Sequence, residues 1–369
     1  MSDVADRLLT ADPTLFDGDT ATRALGWLRH PERYLGKWLD DVAARLPRRR
    51  ERAVLIGMGG SSSPARLYAE ARPGAAIDVL DTSNPDTVGA TAFHGATVIA
   101  ASKSGTTIEV QTLLARALSD DLDPADLVVI TDPGTSLEEL ARHLGATTVL
   151  GDPETGGRFS GLSPFGLVPA IYAGWTPDEL RDELDACRLT RELVDGALDA
   201  ARDILSNGET PATLGLARDP ATSGGALWLE QLVAETTGKN DRGVVPVVVA
   251  GGAVARPRDV MHWHVVASLL ARDLGVDPFN QPDVETAKRD VFSLLTPGSV
   301  WDDPGLSRDR LRDEMASAAY VTLQVFAPLE DAPGVESLRE GVEAVYGTTT
   351  ANLGPRYLHS TGQLHKGGP

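Results

Sequence analysis

The sequence predicts an α/β protein of doubly wound αβα sandwich type with mainly parallel sheets, and three observations carry that expectation. Short β-branched runs at 54–56, 76–80, 97–99, 127–130 and 147–150 alternate with helical patterns. Continuous apolar strands separated by helices belong to parallel sheets covered on both faces. The 369 residues exceed what one core usually serves, so two domains are expected.

Taken in order, residues 1–50 read as an amphipathic N-terminal helical segment, ending in Arg48-Arg49-Arg50 as a solvated helix end. Residues 51–176 form a first domain, closed by a helical stretch near 163–174. Pro177 opens a charged helical region to 206, expected as a linker. Residues 207–369 are expected to form a second domain. Its strand candidates are 212–216, 244–249 and 320–326, with helices near 220–237, 257–273, 283–294, 308–317 and 335–345.

Composition narrows the function. The 53 acidic and 34 basic residues give a formal net charge of −19, a field that repels polyanions, so nucleic acid is not an expected partner. No apolar stretch approaches the ~20 residues that span a bilayer, and no membrane partner is expected. Met1 to Thr10 has neither the basic nor the apolar region of a signal peptide, and Cys187 is the single cysteine. Together these lead us to expect a cytoplasmic setting. A small anionic substrate would need local positive groups, which directs attention to basic residues in glycine-rich loops.

The strongest such loop is Ser102-Lys103-Ser104-Gly105-Thr106-Thr107, where a buried strand turns into a helix. Free N–H groups and the helix dipole attract anions there, and short hydroxyls add donors around phosphate oxygens. The alternative is a helix cap, which needs one hydroxyl where this loop offers four. A second loop, Gly57-Met58-Gly59-Gly60-Ser61-Ser62-Ser63, follows the first strand. It also half-matches a dinucleotide fingerprint, with Asp78 or Asp81 at the ribose offset, but its third glycine position is Ser62. A sugar phosphate is the reading that uses both loops.

Three further segments and the C-terminal stretch hold candidate chemistry. In Gly156-Gly157-Arg158-Phe159-Ser160 a guanidinium between glycines can face a cleft and bind phosphate or a developing oxyanion, or else pair with an acidic neighbour. In Glu230-Gln231-Leu232-Val233-Ala234-Glu235-Thr236-Thr237-Gly238-Lys239, Glu235 lies near a glycine helix stop, where it can act as a general base or remain a solvated charge. In Asn280-Gln281-Pro282-Asp283-Val284-Glu285-Thr286-Ala287-Lys288, Pro282 suits a first helical turn and Lys288 follows about one and a half turns on. The stretch from His359 to Pro369 holds two of the seven histidines, suited to proton transfer near neutrality or to an unstructured tail. His262 and His264 flank Trp263 and read as structural, with no third metal ligand near.

In order from about residue 53 to 290, these segments resemble the phosphoglucose isomerase family, whose halves are sugar isomerase (SIS) domains. The segment Phe279-Asn280-Gln281-Pro282-Asp283-Val284 and the His359 to Pro369 stretch are most similar to the isomerase part of fused transaldolase and phosphoglucose isomerase proteins. The resemblance implies two SIS-type domains, the second of them incomplete at its C-terminal end, a homodimer, and interconversion of glucose 6-phosphate and fructose 6-phosphate without metal or organic cofactor. It implies that Gly60, Ser61, Ser102, Ser104 and Thr107 hold the phosphate, with Lys103 and Thr106 shaping the loop. Glu235 would be the base that moves a proton between C1 and C2. Arg158 would stabilise the enediol charge, Lys288 with Gln281 would assist at the ring oxygen or phosphate, and His359 would open the ring. One departure stands out: in long isomerases the histidine segment precedes the lysine segment, and here it follows. The family's histidine also comes from the neighbouring subunit. Two other functions fit the same motifs: a non-catalytic SIS module that binds a sugar phosphate, and an isomerase of another sugar phosphate such as mannose 6-phosphate.

Overall fold

A computed structural model describes residues 2–48, 50–218, 223–294 and 305–369, the side chains of 2, 3, 288 and 290–294 excepted. The first half holds β1 (Ala53–Gly57), β2 (Ile77–Leu80), β3 (Thr97–Ala101), β4 (Leu127–Thr131) and β5 (Thr147–Leu150), in one sheet of order β2-β1-β3-β4-β5. Every pairing is parallel. The central strands β1, β3 and β4 are buried along their whole length, as continuous Val, Ile, Leu and Ala runs require, whereas β2 and β5 are edges with exposed positions.

The strand order fixes where a ligand can sit. The connection from β1 goes outward to β2, and the chain then returns to the other side of β1 to lay down β3. Such a reversal opens a crevice between the loops that follow the two strands. Here those are the loops 57–63 and 102–107, so the topology brings the two hydroxyl-rich segments together.

The second half is more fragmented. β6 (Thr213–Leu216) pairs in parallel with β7 (Val245–Val248), and β8 (Val321–Val325) with β9 (Thr349–Leu353). The sequence reading anticipated the first three of these strands and not β9. The expected helices form at Gly224–Thr237, Val260–Asp273, Pro282–Leu294, Arg308–Ser317 and Ala332–Tyr346.

Two regions differ from their sequence reading. The stretch 177–206 forms two helices, Pro177–Ala186 and Arg191–Leu205, that bury Leu180, Leu184, Val194, Ala197, Leu198 and Ala201 in the main core, so these helices are part of the packed body. Residues 2–45 break into short α and 3₁₀ turns that set Leu8, Trp27 and Leu39 into that core. The same core holds much of the apolar surface of Gly224–Thr237, a helix buried at nearly every position. Among the described residues no helix is long and apolar enough to cross a membrane.

Candidate active site

One cleft of about 440 Å³ gathers the candidate segments. One wall is made by Gly59, Gly60 and Ser61 together with Lys103, Ser104 and Thr107. The lining continues through Arg158, Gln231, Glu235, Gln281 and His359. The hydroxyls of the 102–107 loop do not cap the helix Ile108–Ser119: its N-cap Thr107 makes no side-chain cap bond. They pair with one another instead, Ser102 Oγ with Thr107 Oγ1 at 2.9 Å and Ser104 Oγ with Thr106 Oγ1 at 3.0 Å. Ser104 and Thr107 are the two that line the cleft, with Ser102 buried behind Thr107 and Thr106 exposed beside Ser104.

Lys103 is committed to the wall. Its Nζ pairs with Asp132 and donates to Asp152 O at 2.8 Å. Burial pushes the Asp132 carboxyl above the ordinary range, against the pull of Lys103.

The loop 57–63 makes a 3₁₀ turn, Gly59–Ser61, before the helix Ser63–Glu70. Its glycines serve close approach. Gly59 has φ +53°, and a Cβ there would lie 2.3 Å from His359 O. A Cβ on Gly60 would lie 2.1 Å from Gly157 O. Ser160 Oγ donates to Gly60 O at 2.7 Å, which locks the loop to the turn Gly157–Leu162 that carries Arg158.

Arg158 is buried. Its Nη1 donates to Glu235 O (2.5 Å) and Pro278 O (3.1 Å), and its Nη2 donates to Asn280 O (3.2 Å) and lies 3.4 Å from Glu235 Oε1. Burial pushes the guanidinium below its ordinary value, with Glu235 and Asp277 opposing. Arg158 thus pairs with an acidic neighbour, one of the two alternatives the sequence offers, and also lines the cleft.

Glu235 sits one turn from Gln231, whose Nε2 donates to Glu235 Oε2 at 3.0 Å and to His359 O at 3.0 Å, while Ser63 Oγ donates to Gln231 Oε1 at 2.7 Å. Gln231 is thus the orienting group of the site, and the sequence reading passed over it. Glu230 faces the other way and accepts from Asn352 Nδ2 on β9 at 3.1 Å. The glycine after this helix is not a left-handed stop: Gly238 has φ −75°, and a Cβ there would meet Leu364 Cα at 2.4 Å. It is glycine because the C-terminal helix Gly362–Gly367 lies against it, with Gln363 Nε2 donating to Gly238 O at 2.9 Å.

His359 lines the cleft of its own chain, and its Nε2 donates to Glu109 Oε1 at 2.8 Å. The C-terminal stretch is therefore an ordered part of the site. Gln281 lies on the wall. Lys288 belongs to the helix Pro282–Leu294, and its side chain lies outside the described residues. His264 is fully buried among Trp27, Phe159 and Trp228, away from the cleft lining.

Two hydroxyl loops at the switch point of a parallel sheet thus share one cleft with a carboxylate, a guanidinium and an imidazole. No family model matches the chain. It is 29% identical over 255 residues to a glucose-6-phosphate isomerase of Mesoplasma florum, covering 60% of this chain and 58% of that protein. It is 33% identical over 199 residues to a glucose-6-phosphate isomerase of Rubrobacter xylanophilus, covering 50% of this chain and 44% of that one. The chain spans about half the length of the curated relatives it matches. In fold it is similar to a hypothetical protein of Thermus thermophilus (TM-score 0.63, 21% identity, 80% of this chain and 94% of that one). It is also similar to a glucose-6-phosphate isomerase of Chlamydia trachomatis (TM-score 0.55, 18% identity, 84% of this chain and 80% of that one). In sequence the chain is thus similar to glucose-6-phosphate isomerases over part of their length, and in fold to solved structures that include one.

Proposed function

We propose that the protein interconverts glucose 6-phosphate and fructose 6-phosphate. The observation that carries this reading is the meeting, in one cleft, of the Glu235 carboxylate, held by Gln231 and Arg158, with the two hydroxyl loops. The loops hold the phosphate through Ser61, Ser104, Thr107 and backbone N–H groups, with Gly60 giving close approach and Ser102, Lys103 and Thr106 holding their shape. His359, held at Nε2 by Glu109, donates a proton from its other ring nitrogen to the ring oxygen O5 while water takes the proton from O1, so that the C1–O5 bond breaks and the ring opens. Glu235 then takes the C2 proton of the aldose and returns it to C1, while O1 gains and O2 gives up a hydroxyl proton, through a cis-enediol whose developing negative charge faces Arg158. Gln231 holds Glu235 Oε2 so that the carboxylate meets the substrate in one orientation. Lys288 and Gln281 assist at the ring oxygen or phosphate.

A place in glycolysis, a homodimer and a cytoplasmic setting belong to the same proposal and rest on the family likeness. Light scattering tests the dimer. The reaction is tested by a panel of phosphorylated hexoses assayed for aldose-ketose exchange in D2O. Deuterium should enter fructose 6-phosphate at C1. Binding of sugar phosphates with no exchange would overturn the isomerase reading, and exchange confined to mannose 6-phosphate would replace its substrate.

A further inference from the structure

Lys239 is 2% exposed, among the largest fully buried side chains of the protein, and the mechanism above does not use it. Its Nζ donates to Thr236 O at 2.9 Å and to Asp277 O. Those two carbonyls adjoin the ones taken by Arg158, namely Glu235 O on the helix side and Pro278 O and Asn280 O on the loop side. Two buried basic side chains thus bridge the same two backbone segments, the helix end at 235–236 and the strap 277–280. The strap is held on its far side as well, where Thr20 Oγ1 donates to Asp277 Oδ2 at 2.5 Å and Phe279 N donates to Asp277 Oδ1 at 2.8 Å.

We propose that Lys239 is a positioning residue for the candidate base: together with Arg158 it clamps the end of the Glu235 helix to the strap 277–280, which fixes the carboxylate against Arg158 and carries Gln281 onto the cleft wall. This rests on the isomerase reading of the site. Arg158 alone leaves the next carbonyl of the helix, Thr236 O, without its tie to the strap, and the last turn of a helix has no further N–H to satisfy it. A buried lysine is costly unless its donors are met, so its retention here marks a duty that an apolar side chain of the same length would not perform. Burial and Arg158 push the amine down to about 6, with Asp277, Glu235 and Asp283 opposing. At neutral pH it therefore serves mainly as a two-proton donor rather than as a second charge beside Arg158.

The test compares wild type, Lys239→Met and Lys239→Gln by steady-state kinetics with fructose 6-phosphate and by amide hydrogen exchange. Lys239 bonds to neither hydroxyl loop, so the expected result for Lys239→Met is a kcat lowered ~30-fold with KM within ~2-fold, in line with a small misplacement of the reacting group. Lys239→Gln, which keeps one donor, falls between. Exchange should quicken at 235–239 and 277–281 and stay unchanged in the β1 to β5 sheet. A kcat within ~3-fold of wild type, a KM that rises by the factor kcat falls, or failure of both variants to fold overturns the proposal. An inactive wild type whose Met variant still loosens those two segments sinks the isomerase reading and leaves the clamp standing, whereas an active wild type with both segments unchanged in the variant sinks the clamp.

Discussion

Gly60→Ala tests whether the two parts of the cleft lining are set by backbone contact. The added Cβ would lie 2.1 Å from Gly157 O, 2.3 Å from Gly157 C and 3.0 Å from Arg158 N, all backbone atoms with no side-chain torsion to relieve them. Restoring ordinary contact requires the loop 57–63 and the turn Gly157–Leu162 to part by roughly 1 Å, which also stretches the 2.7 Å bond from Ser160 Oγ to Gly60 O. That shift carries Arg158 away from the phosphate loops. A displacement of this size in a reacting group costs about 100-fold in rate, so kcat/KM for fructose 6-phosphate should fall ~100-fold, with a loss of ~1–3 kcal/mol in stability from overpacking. Gly157→Ala is the thermodynamic control, because a Cβ there meets nothing within 4 Å, and its urea midpoint should match wild type. Coupled isomerase kinetics and urea unfolding read both quantities. A Gly60→Ala protein that keeps kcat/KM within ~3-fold would refute the claim that this contact sets the site.

Other outcomes follow from single groups. Glu235→Gln keeps the shape of the Gln231 contact and removes the base, so kcat should drop at least ~100-fold with KM little changed; a smaller drop removes Glu235 from the mechanism. Glu109→Ala takes away the acceptor that orients His359, and kcat/KM for glucose 6-phosphate should fall ~10 to 100-fold, a result to be compared with His359→Ala, since equal losses in both and in the double variant indicate one unit. Burial holds the imidazole of His365 down to about 4, beside Tyr320 and Thr322. Between that value and the ordinary 6.5 the unfolded chain binds more protons, so stability rises with pH across this window and is lost on acidification through it. The loss is ~2 kcal/mol between pH 6.5 and 4.5, and urea unfolding of wild type against His365→Gln should show it vanish in the variant.

The first sheet was legible because its strands are uninterrupted apolar runs, and a parallel sheet covered on both faces demands that pattern. The two hydroxyl-rich loops that share the cleft were legible because glycine and hydroxyls cluster where apolar runs end. β9 was not: Thr349-Thr350-Ala351-Asn352-Leu353 has no alternation to mark it, and its burial depends on β8 beside it and on Glu230 reaching Asn352. Gln231 escaped for a similar reason. Its partners Ser63 and His359 are 168 and 128 residues away, so nothing local distinguishes it from any other glutamine on a helix. Nothing local gives Lys239 a role, and only the strap 277–280 and the turn carrying Arg158 show why it is buried. The glycine at 238 was read correctly as a helix end and for the wrong cause, since what excludes a side chain there is Leu364, 126 positions along the chain.

The contacts that hold the cleft together are also among the most distant in sequence: Glu109 to His359 spans 250 residues, Ser63 to Gln231 168, and Arg158 to Asn280 122. Each closes a long loop whose entropy must be lost before the contact gives anything back. The sheet from β1 to β5 needs no such closure, since its strands come from fewer than a hundred consecutive residues. The chain therefore acquires its competence late in folding and surrenders it early in unfolding. Activity lost at a denaturant concentration that leaves the first sheet protected would be the signature of a catalyst whose parts are more durable than their arrangement.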